Sequence, residues 1–280
     1  MTKLIREKNA LRVETGSSKF KLPMEDPNDF PSVPRFDVNK PFIQMKGEIV
    51  GSLTNRVAHC AHTEQSHFNM HGVNVEIRDD TIRMVATNAQ RLGFVSAKIQ
   101  PGAGPITSNV PASSLERLGF FFDGDANIDL QFRPTALHAR GPRGEIFVRG
   151  LTGAFPPYAR GIPKNPRLLT IDRKLLIEVL EQAVVIKQTG TAFVDLSLGP
   201  EGMVIEARAD GAGETRVEAP AAWSHPPVTL CVHPGYVLES ARAMKSESVV
   251  MEILDAMTPL VLREQTEGLD CFYVYAVAMR

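Results

Sequence analysis

One pattern of secondary structure occurs twice along this chain, and the repetition limits the folds that the chain can adopt. Helical spacing of apolar residues over 47–62 and 111–122 is followed each time by runs with strand-like alternation. The same order returns with helices over 172–186 and 234–244, at an offset of about 120 residues. We therefore predict an α+β fold with repeated domains, each with two helices packed on antiparallel sheets.

Proline-rich segments divide the chain around these repeats. Residues 11–22 read as a β-hairpin, and a linker with several prolines follows over 23–34. A second proline-rich connector, over 153–166, lies between the repeats. The 280 residues allow about two domains of ~100–150 residues. We predict an N-terminal segment over 1–38, a first repeat over 39–166 and a second repeat over 167–280.

Composition excludes several classes of protein. The formal net charge is −1, so any DNA contact needs a locally basic face on a neutral body. No apolar run reaches the ~18 residues of a membrane span, and the N-terminus lacks a signal-peptide pattern. The cysteines Cys60, Cys231 and Cys271 are far apart and odd in number, which argues against a disulfide framework. We expect a cytoplasmic protein.

Residues 85–95 predict a strand, a tight turn and a second strand. The turn falls on Thr87, Asn88 and Ala89, because asparagine tolerates a left-handed backbone better than other non-glycine residues. The charged Arg91 then stands beside the apolar Leu92. An apolar floor bordered by a few polar groups suits a shallow peptide-binding pocket. The alternative is an ordinary strand pair with one face in the core.

Basic residues recur on or at the ends of the four predicted helices. Each helix buries one stripe on a sheet, so the free stripes would line a common surface. The candidate cations of that surface are Arg56, Arg117, Arg173, Lys174, Arg242 and Lys245. Glutamates share the same helices, so the surface is not purely basic, and the alternative for each cation is an ordinary solvated charge.

Several segments together resemble the bacterial DNA polymerase III beta subunit, the sliding clamp family. Residues 85–92 resemble a clamp segment that usually reads Ala-Thr-Asp-Gly-His-Arg-Leu, and 153–166 resemble the connector between the clamp's second and third domains. Residues 236–238, 257–260 and 277–280 resemble parts of its last helix and final strands. Residues 1–36 resemble only the closing hairpin of its first domain, so the match lacks most of that domain.

The resemblance implies a ring that serves DNA replication. Clamps of this family close head to tail around duplex DNA, with helices toward the hole, and act as processivity factors that tether the polymerase. The contact with DNA is electrostatic and independent of sequence, so the six helix cations would face DNA. The implied partners are duplex DNA, the replicative DNA polymerase and the clamp loader. We expect a homo-oligomer: a chain without the first domain either fails to close the dimer ring or closes as a trimer.

In this family, partners insert a short linear motif into a pocket between the second and third domains. Carried over position by position, that pocket consists of Met70, Thr87, Ala89, Gln90, Arg91, Leu92, Pro156, Arg160, Met257, Pro259, Tyr275, Val277 and Met279. The chain departs from the family pattern at three places. Ala89-Gln90 replaces the usual Gly-His, Gly161 replaces a branched apolar residue, and Ala278 replaces a frequent proline.

Two classes of active site have weak support in the sequence. A metal site is suggested by a cluster in which His59 and His62 share a predicted helix face, although the spacing fits no common zinc pattern; the cluster is His59, Cys60, His62, His67 and His71. We find no phosphate loop, nucleophile elbow or H-E-x-x-H helix, so we expect neither an enzyme nor a cofactor. A ring-less clamp-like module, truncated or a decoy, that captures clamp-binding motifs remains the alternative function.

Overall fold

The computed structural model describes residues 2–64, 69–100, 102, 104–124, 126–185, 193–209 and 213–278, without the side chains of Pro27, Arg208 and Ala209. The chain forms two compact units, Met1–Arg35 and Phe36–Arg280. None of the described helices is long and apolar enough to cross a membrane.

The first unit is an antiparallel sheet of β1 (Thr2–Glu7), β2 (Ala10–Thr15) and β3 (Ser18–Pro23). The hairpin predicted over 11–22 is present as β2 and β3, and β1 is an additional strand that pairs with β2. The end strand β3 is exposed along its whole length. A 3₁₀ turn, Pro27–Asp29, follows within the predicted linker.

The α-helices of the second unit lie at the predicted places. They are α1 (Gly47–Val57), α2 (Ala112–Phe121), α3 (Arg173–Ala183) and α4 (Pro234–Ala243). The side chain of Asp172 caps α3, and Pro234 occupies the first turn of α4, where its missing N–H is harmless. The first helix is shorter than predicted. It gives way to a 3₁₀ turn, and the His62 N–H bonds to the carbonyl of Met70 instead of a helical carbonyl.

The strands of the second unit form antiparallel sheets. The strands are β4 (Ile43–Met45), β5 (Gly72–Arg78), β6 (Thr81–Thr87), β7 (Arg91–Lys98), β8 (Ile106–Pro111), β9 (Ile128–Arg133), β10 (Ala136–Gly141), β11 (Gly144–Arg149), β12 (Arg167–Asp172), β13 (Val194–Gly199), β14 (Gly202–Ala209), β15 (Gly213–Ala219), β16 (Val228–Val232), β17 (Ser248–Ile253), β18 (Leu260–Thr266) and β19 (Leu269–Tyr275). The sequence pattern missed β4, β8 and β12. Each of them lies just before a helix, so its short alternation merges with the helical pattern.

One sheet runs across both repeats. The strand orders are β11-β10-β9-β4, β15-β14-β13-β16 and, for the long sheet, β12-β17-β18-β19-β7-β6-β5-β8. In the long sheet β7 of the first repeat pairs with β19 of the second, and Phe94 lies opposite Phe272. The boundary predicted at residue 166 stays a prediction, because Phe36–Arg280 forms one compact unit. The α+β class and the two-helix repeats are confirmed.

The helices occupy one side of the long sheet. Helix α1 packs against α2, α3 packs against α4, and α1 also contacts α4 across the repeats. The first pair meets closely, since a Cβ on Gly119 would lie 3.0 Å from the Cα of Gly51. We call the other side of the long sheet the outer face. Its apolar cluster is covered by the connector side chains Phe155, Tyr158 and Ile162.

Candidate functional site

The turn between β6 and β7 is held by its own side chains. The hydroxyl of Thr87 donates to the carbonyl of Arg91 at 2.7 Å and accepts from the Ala89 N–H at 3.1 Å. The carboxamide oxygen of Asn88 accepts from the N–H groups of Gln90 and Arg91. The left-handed residue is Ala89, with φ of 73°, and not Asn88 as the sequence suggested. Asparagine therefore acts here through its side chain.

Arg91 lies inside the protein on the helix side of β7. One guanidinium nitrogen is 2.5 Å from the Glu239 carboxylate of α4, and another donates to the carbonyl of His59. The guanidinium also lies over the ring of Tyr236, 4.3 Å from its centroid. Only 8% of Arg91 is exposed. Its two terminal nitrogens are therefore bonded within the fold, and Nε is buried without a hydrogen-bond partner among the described residues. The expectation of a free charged donor beside Leu92 is wrong.

Burial tunes the ionisable groups behind this arginine. Burial, and then the charge of Arg91, lowers the pKa of His59 to about 4, so the imidazole is neutral at pH 7. Its Nε2 lies 3.1 Å from the hydroxyl of Ser240 on α4. Burial also raises the pKa of Cys60 to about 12, which leaves an inert thiol. This cluster joins the two repeats and offers no reactive group.

A small pocket opens where β7 and the end of β19 meet α4. The phenol of Tyr236 donates to the Gln90 carboxamide at 2.8 Å and stacks on His233, with centroids 3.9 Å apart. With Phe193 and Val277 these side chains enclose a cavity of about 80 Å³, which we call the edge pocket. Sequence reasoning missed Phe193 and His233. The one available signal was the His-Pro pair that begins α4.

Leu92 faces the other way from Arg91, because successive residues of a strand point to opposite faces. It is half-buried on the outer face, where it packs against the same apolar cluster as Phe155, Tyr158 and Ile162 of the connector. The neighbouring rings of Phe94 and Phe272 stack with centroids 4.6 Å apart. Leu92 thus belongs to an apolar surface formed jointly by both repeats and the connector.

The other predicted pocket residues differ in burial and surroundings. Pro156 and Arg160 line a wider groove of about 840 Å³ on the outer face. Tyr275 is 1% exposed and lies within the main core. It offers no surface to a peptide, so the prediction that it lines the pocket is wrong. Met257 is exposed, while Met70 and Pro259 are half-buried. Met279 lies outside the described residues. The structure therefore brings together Gln90 and Val277 in the edge pocket and places Tyr275 opposite Arg91 in the strand register. That the remaining residues form one pocket with them stays a prediction.

Two predicted DNA-facing arginines are structural. Arg56 is 3% exposed and makes two bonds to Glu264, Nε to Oε2 at 2.8 Å and Nη2 to Oε1 at 2.9 Å. It cannot contact DNA, and this prediction is wrong because the ion pair seals α1 against β18. Arg173 is half-buried and donates to the carbonyls of Ser246 and Ala241 near the end of α4. Its guanidinium is also used within the fold.

The remaining predicted cations are at the surface. Arg117, Lys174, Arg242 and Lys245 are exposed. Arg242 is 2.7 Å from Glu181, an exposed ion pair that binds weakly and can open. Arg242 and Lys245 border a groove of about 510 Å³ between α1, α2 and the end of α4. The helix side of the sheet thus keeps four exposed cations among the six that the sequence suggested.

The histidine-rich segment does not form the helix face on which the alternative metal site depends. Helix α1 ends before it, so His59 lies in a 3₁₀ turn and His62 lies outside any helix or strand. In the described part of the chain, no three His, Cys, Asp or Glu side chains are placed to hold a metal ion. His67 lies outside the described residues.

Two family models match the chain. The model of the DNA polymerase III beta subunit central domain matches residues 44–157, and that of the C-terminal domain matches residues 160–276. A beta sliding clamp of Caulobacter vibrioides is 22% identical over 261 residues, which cover 90% of this chain and 69% of that protein. One from Synechocystis is 24% identical over 269 residues, covering 89% and 68%.

Solved structures share the fold. A DNA polymerase sliding clamp of Bacillus subtilis superposes with a TM-score of 0.89 at 18% identity, over 100% of this chain and 75% of that one. The DNA polymerase III subunit beta of Pseudomonas aeruginosa gives a TM-score of 0.89 at 20% identity, over 99% and 77%.

Proposed function

The chain belongs to the DNA polymerase III beta subunit family, and we propose that it is a DNA polymerase sliding clamp, a processivity factor without enzymatic activity that acts in the cytoplasm. One structural observation carries the proposal: the helices of both repeats lie on one side of a sheet that runs unbroken between them. Such a wall presents helices to an enclosed duplex. We assign 39–166 and 167–280 as clamp domains of the central and C-terminal types, and 1–38 as a segment of the first-domain type with a linker.

We propose that Arg117, Lys174, Arg242 and Lys245 contact the phosphates of duplex DNA. Four exposed cations give weak attraction that does not depend on base sequence. A ring needs no more, because closure around the duplex prevents dissociation. Weak contacts also allow the protein to slide.

A closed ring requires self-association, so we propose a homo-oligomer. The end strands β11 and β15 support this, since an end strand presents unpaired backbone groups to another chain. Native mass spectrometry at micromolar concentration tests the assembly. A purely monomeric protein would remove the ring and leave the alternative of a clamp-like module that only captures clamp-binding motifs.

We propose that the replicative polymerase and the clamp loader dock through short linear motifs on the edge pocket and on Leu92. The edge pocket supports this with an aromatic wall and one hydrogen-bonding carboxamide, that of Gln90. Leu92, which follows closely in the sequence, supplies an aliphatic surface. An aliphatic-aromatic motif matches both features.

Calorimetric titration with a Gln-x-x-Leu-Phe peptide tests the docking site. We expect a dissociation constant near micromolar, about −8 kcal/mol, and loss of binding in Leu92→Asp. Leu168→Asp is the matched control, because Leu168 is an exposed leucine on β12 at the far edge of the same sheet. Circular dichroism of both variants verifies folding. Absence of binding by the folded parent protein would refute motif docking at this site.

A further inference from the structure

The outer face carries a second recess, which shares only Pro156 and Arg160 with the motif pocket predicted from the sequence. We call it the outer groove; it has a volume of about 840 Å³ and lies between β5, β6, β8, the β9–β10 turn and the connector residues 151–160. Its volume is about ten times that of the edge pocket, which is about 80 Å³. The two recesses also differ in chemistry.

Strand register lines the floor of the outer groove with polar side chains. Asn74, Glu76 and Arg78 alternate along β5, so they point to the same face. On one side of Glu76 lies Thr107 of β8, and on the other side lies Arg83 of β6. A floor with these groups is polar, unlike the apolar outer cluster over β7 and β19.

The single carboxylate of the groove is already satisfied. Glu76 Oε1 accepts from the Asn74 carboxamide at 2.9 Å and from the Tyr158 hydroxyl at 3.2 Å. Burial and the nearby Glu76 raise the pKa of Tyr158 to about 12, so this hydroxyl stays a donor. Tyr158 also fixes the connector as one wall of the groove.

The arginines of the groove have no such partners. Arg78, Arg83 and Arg160 are exposed, and none of them forms an ion pair within the described part of the chain. Arg83 lies directly opposite Glu76 in the strand register, yet the two side chains do not pair. The groove therefore has excess positive charge and donors that point to solvent.

We propose that the outer groove binds an acidic peptide segment of a partner protein. Carboxylates pair well with guanidinium groups, and side chains on one face of an extended peptide recur at about the spacing of those on β5. The end strand β8 forms one border, and Phe155 adds an apolar group to the lining of the groove. The groove is on the side of the sheet opposite the helices, so DNA held by the helices leaves it open.

Fluorescence anisotropy at low salt tests the proposal. The probe is a labelled peptide that alternates glutamate and serine, and its counterpart alternates lysine and serine. We expect binding of the acidic peptide alone, weakened at least about tenfold in Arg78→Glu with Arg83→Glu. The matched control reverses two exposed cations elsewhere, Lys21→Glu with Arg216→Glu, and should bind like the parent protein.

Competition separates this site from other ligands. The Gln-x-x-Leu-Phe peptide should not displace the acidic probe, and Leu92→Asp should bind it normally, so this result is independent of the motif site. If both charge-reversal variants lost affinity for the acidic peptide equally, the binding would reflect only the net charge of the protein. That result would overturn the proposal. Displacement by inorganic phosphate or a single-stranded oligonucleotide, at concentrations equal to that of the unlabelled acidic peptide, would also overturn it.

Discussion

The buried and the exposed basic side chains on the helix side of this protein have different roles. In the first repeat, Arg56 and Arg91 are buried and end on carboxylates of the second repeat, Glu264 and Glu239. In the second repeat, Lys174 is among the cations that remain exposed on the helix side. The buried arginines therefore hold the two repeats together through ion pairs, and the exposed cations are available to a ligand. The position of a basic residue on one of these helices therefore does not by itself predict DNA contact. The exposed fraction of its side chain must also be known.

The largest expected effect comes from opening the buried pair. Glu264→Ala should lower the free energy of unfolding by about 3–5 kcal/mol, because Arg56 would remain buried and unpaired. Urea denaturation measures this. Glu267→Ala, an exposed residue in the turn that follows, is the control and should change stability by less than about 0.5 kcal/mol.

A companion variant sharpens the reason for that loss. Arg56→Met with Glu264→Leu replaces both charges by apolar groups and should recover most of the stability. If the single and double variants were equally unstable, the loss would reflect packing and not the unpaired charge.

The next effect is on pH dependence. The pKa of His59 is lowered to about 4 in the fold, so the unfolded chain binds more protons between this value and about 6.5. Stability is therefore complete above about pH 6.5 and should fall by about 2 kcal/mol on acidification to about pH 5. Urea denaturation across this range tests it. His59→Gln removes the titrating group and should flatten the slope; an unchanged slope would assign it to other groups.

Glu239→Gln tests the second ion pair between the repeats, that of Arg91 with Glu239, and should lower the free energy of unfolding by only about 1 kcal/mol. The effect is smaller than at Glu264 because the Glu239 side chain is 52% exposed and water can replace it. The variant should leave Arg91 in place over Tyr236, so the affinity for the Gln-x-x-Leu-Phe peptide should stay within about twofold. A loss comparable to that of Glu264→Ala would make the two junctions equivalent.

The smallest change in stability is expected at the exposed cations. Lys174→Ala and Lys245→Ala should each change the unfolding free energy by less than about 0.5 kcal/mol. Each should reduce the slope of log affinity for duplex DNA against log salt by about 1. Arg6→Ala is an exposed control from the N-terminal sheet. An unchanged salt slope in both lysine variants would contradict DNA contact by these helices.

Sequence reasoning located the helices and the α+β class, because the spacing of apolar residues is set locally by whichever face is buried. It placed the β6–β7 turn correctly but chose Asn88 for the left-handed position that Ala89 occupies. It also missed His233, whose ring stacks on Tyr236, the residue that donates to Gln90. Such contacts link residues that are distant in the chain, and no local pattern records them.

The sequence by itself determined the repeated order of helices and strands and the family resemblance. The tertiary structure alone decided which charges are buried, which residues share a pocket and which face each one occupies. Arg56 illustrates the physical reason. Its partner Glu264 is 208 residues away in the chain, and only the packing of α1 against β18 removes both groups from water. Arg117, on the next helix, stays in solvent, because no carboxylate is folded against it in the described structure.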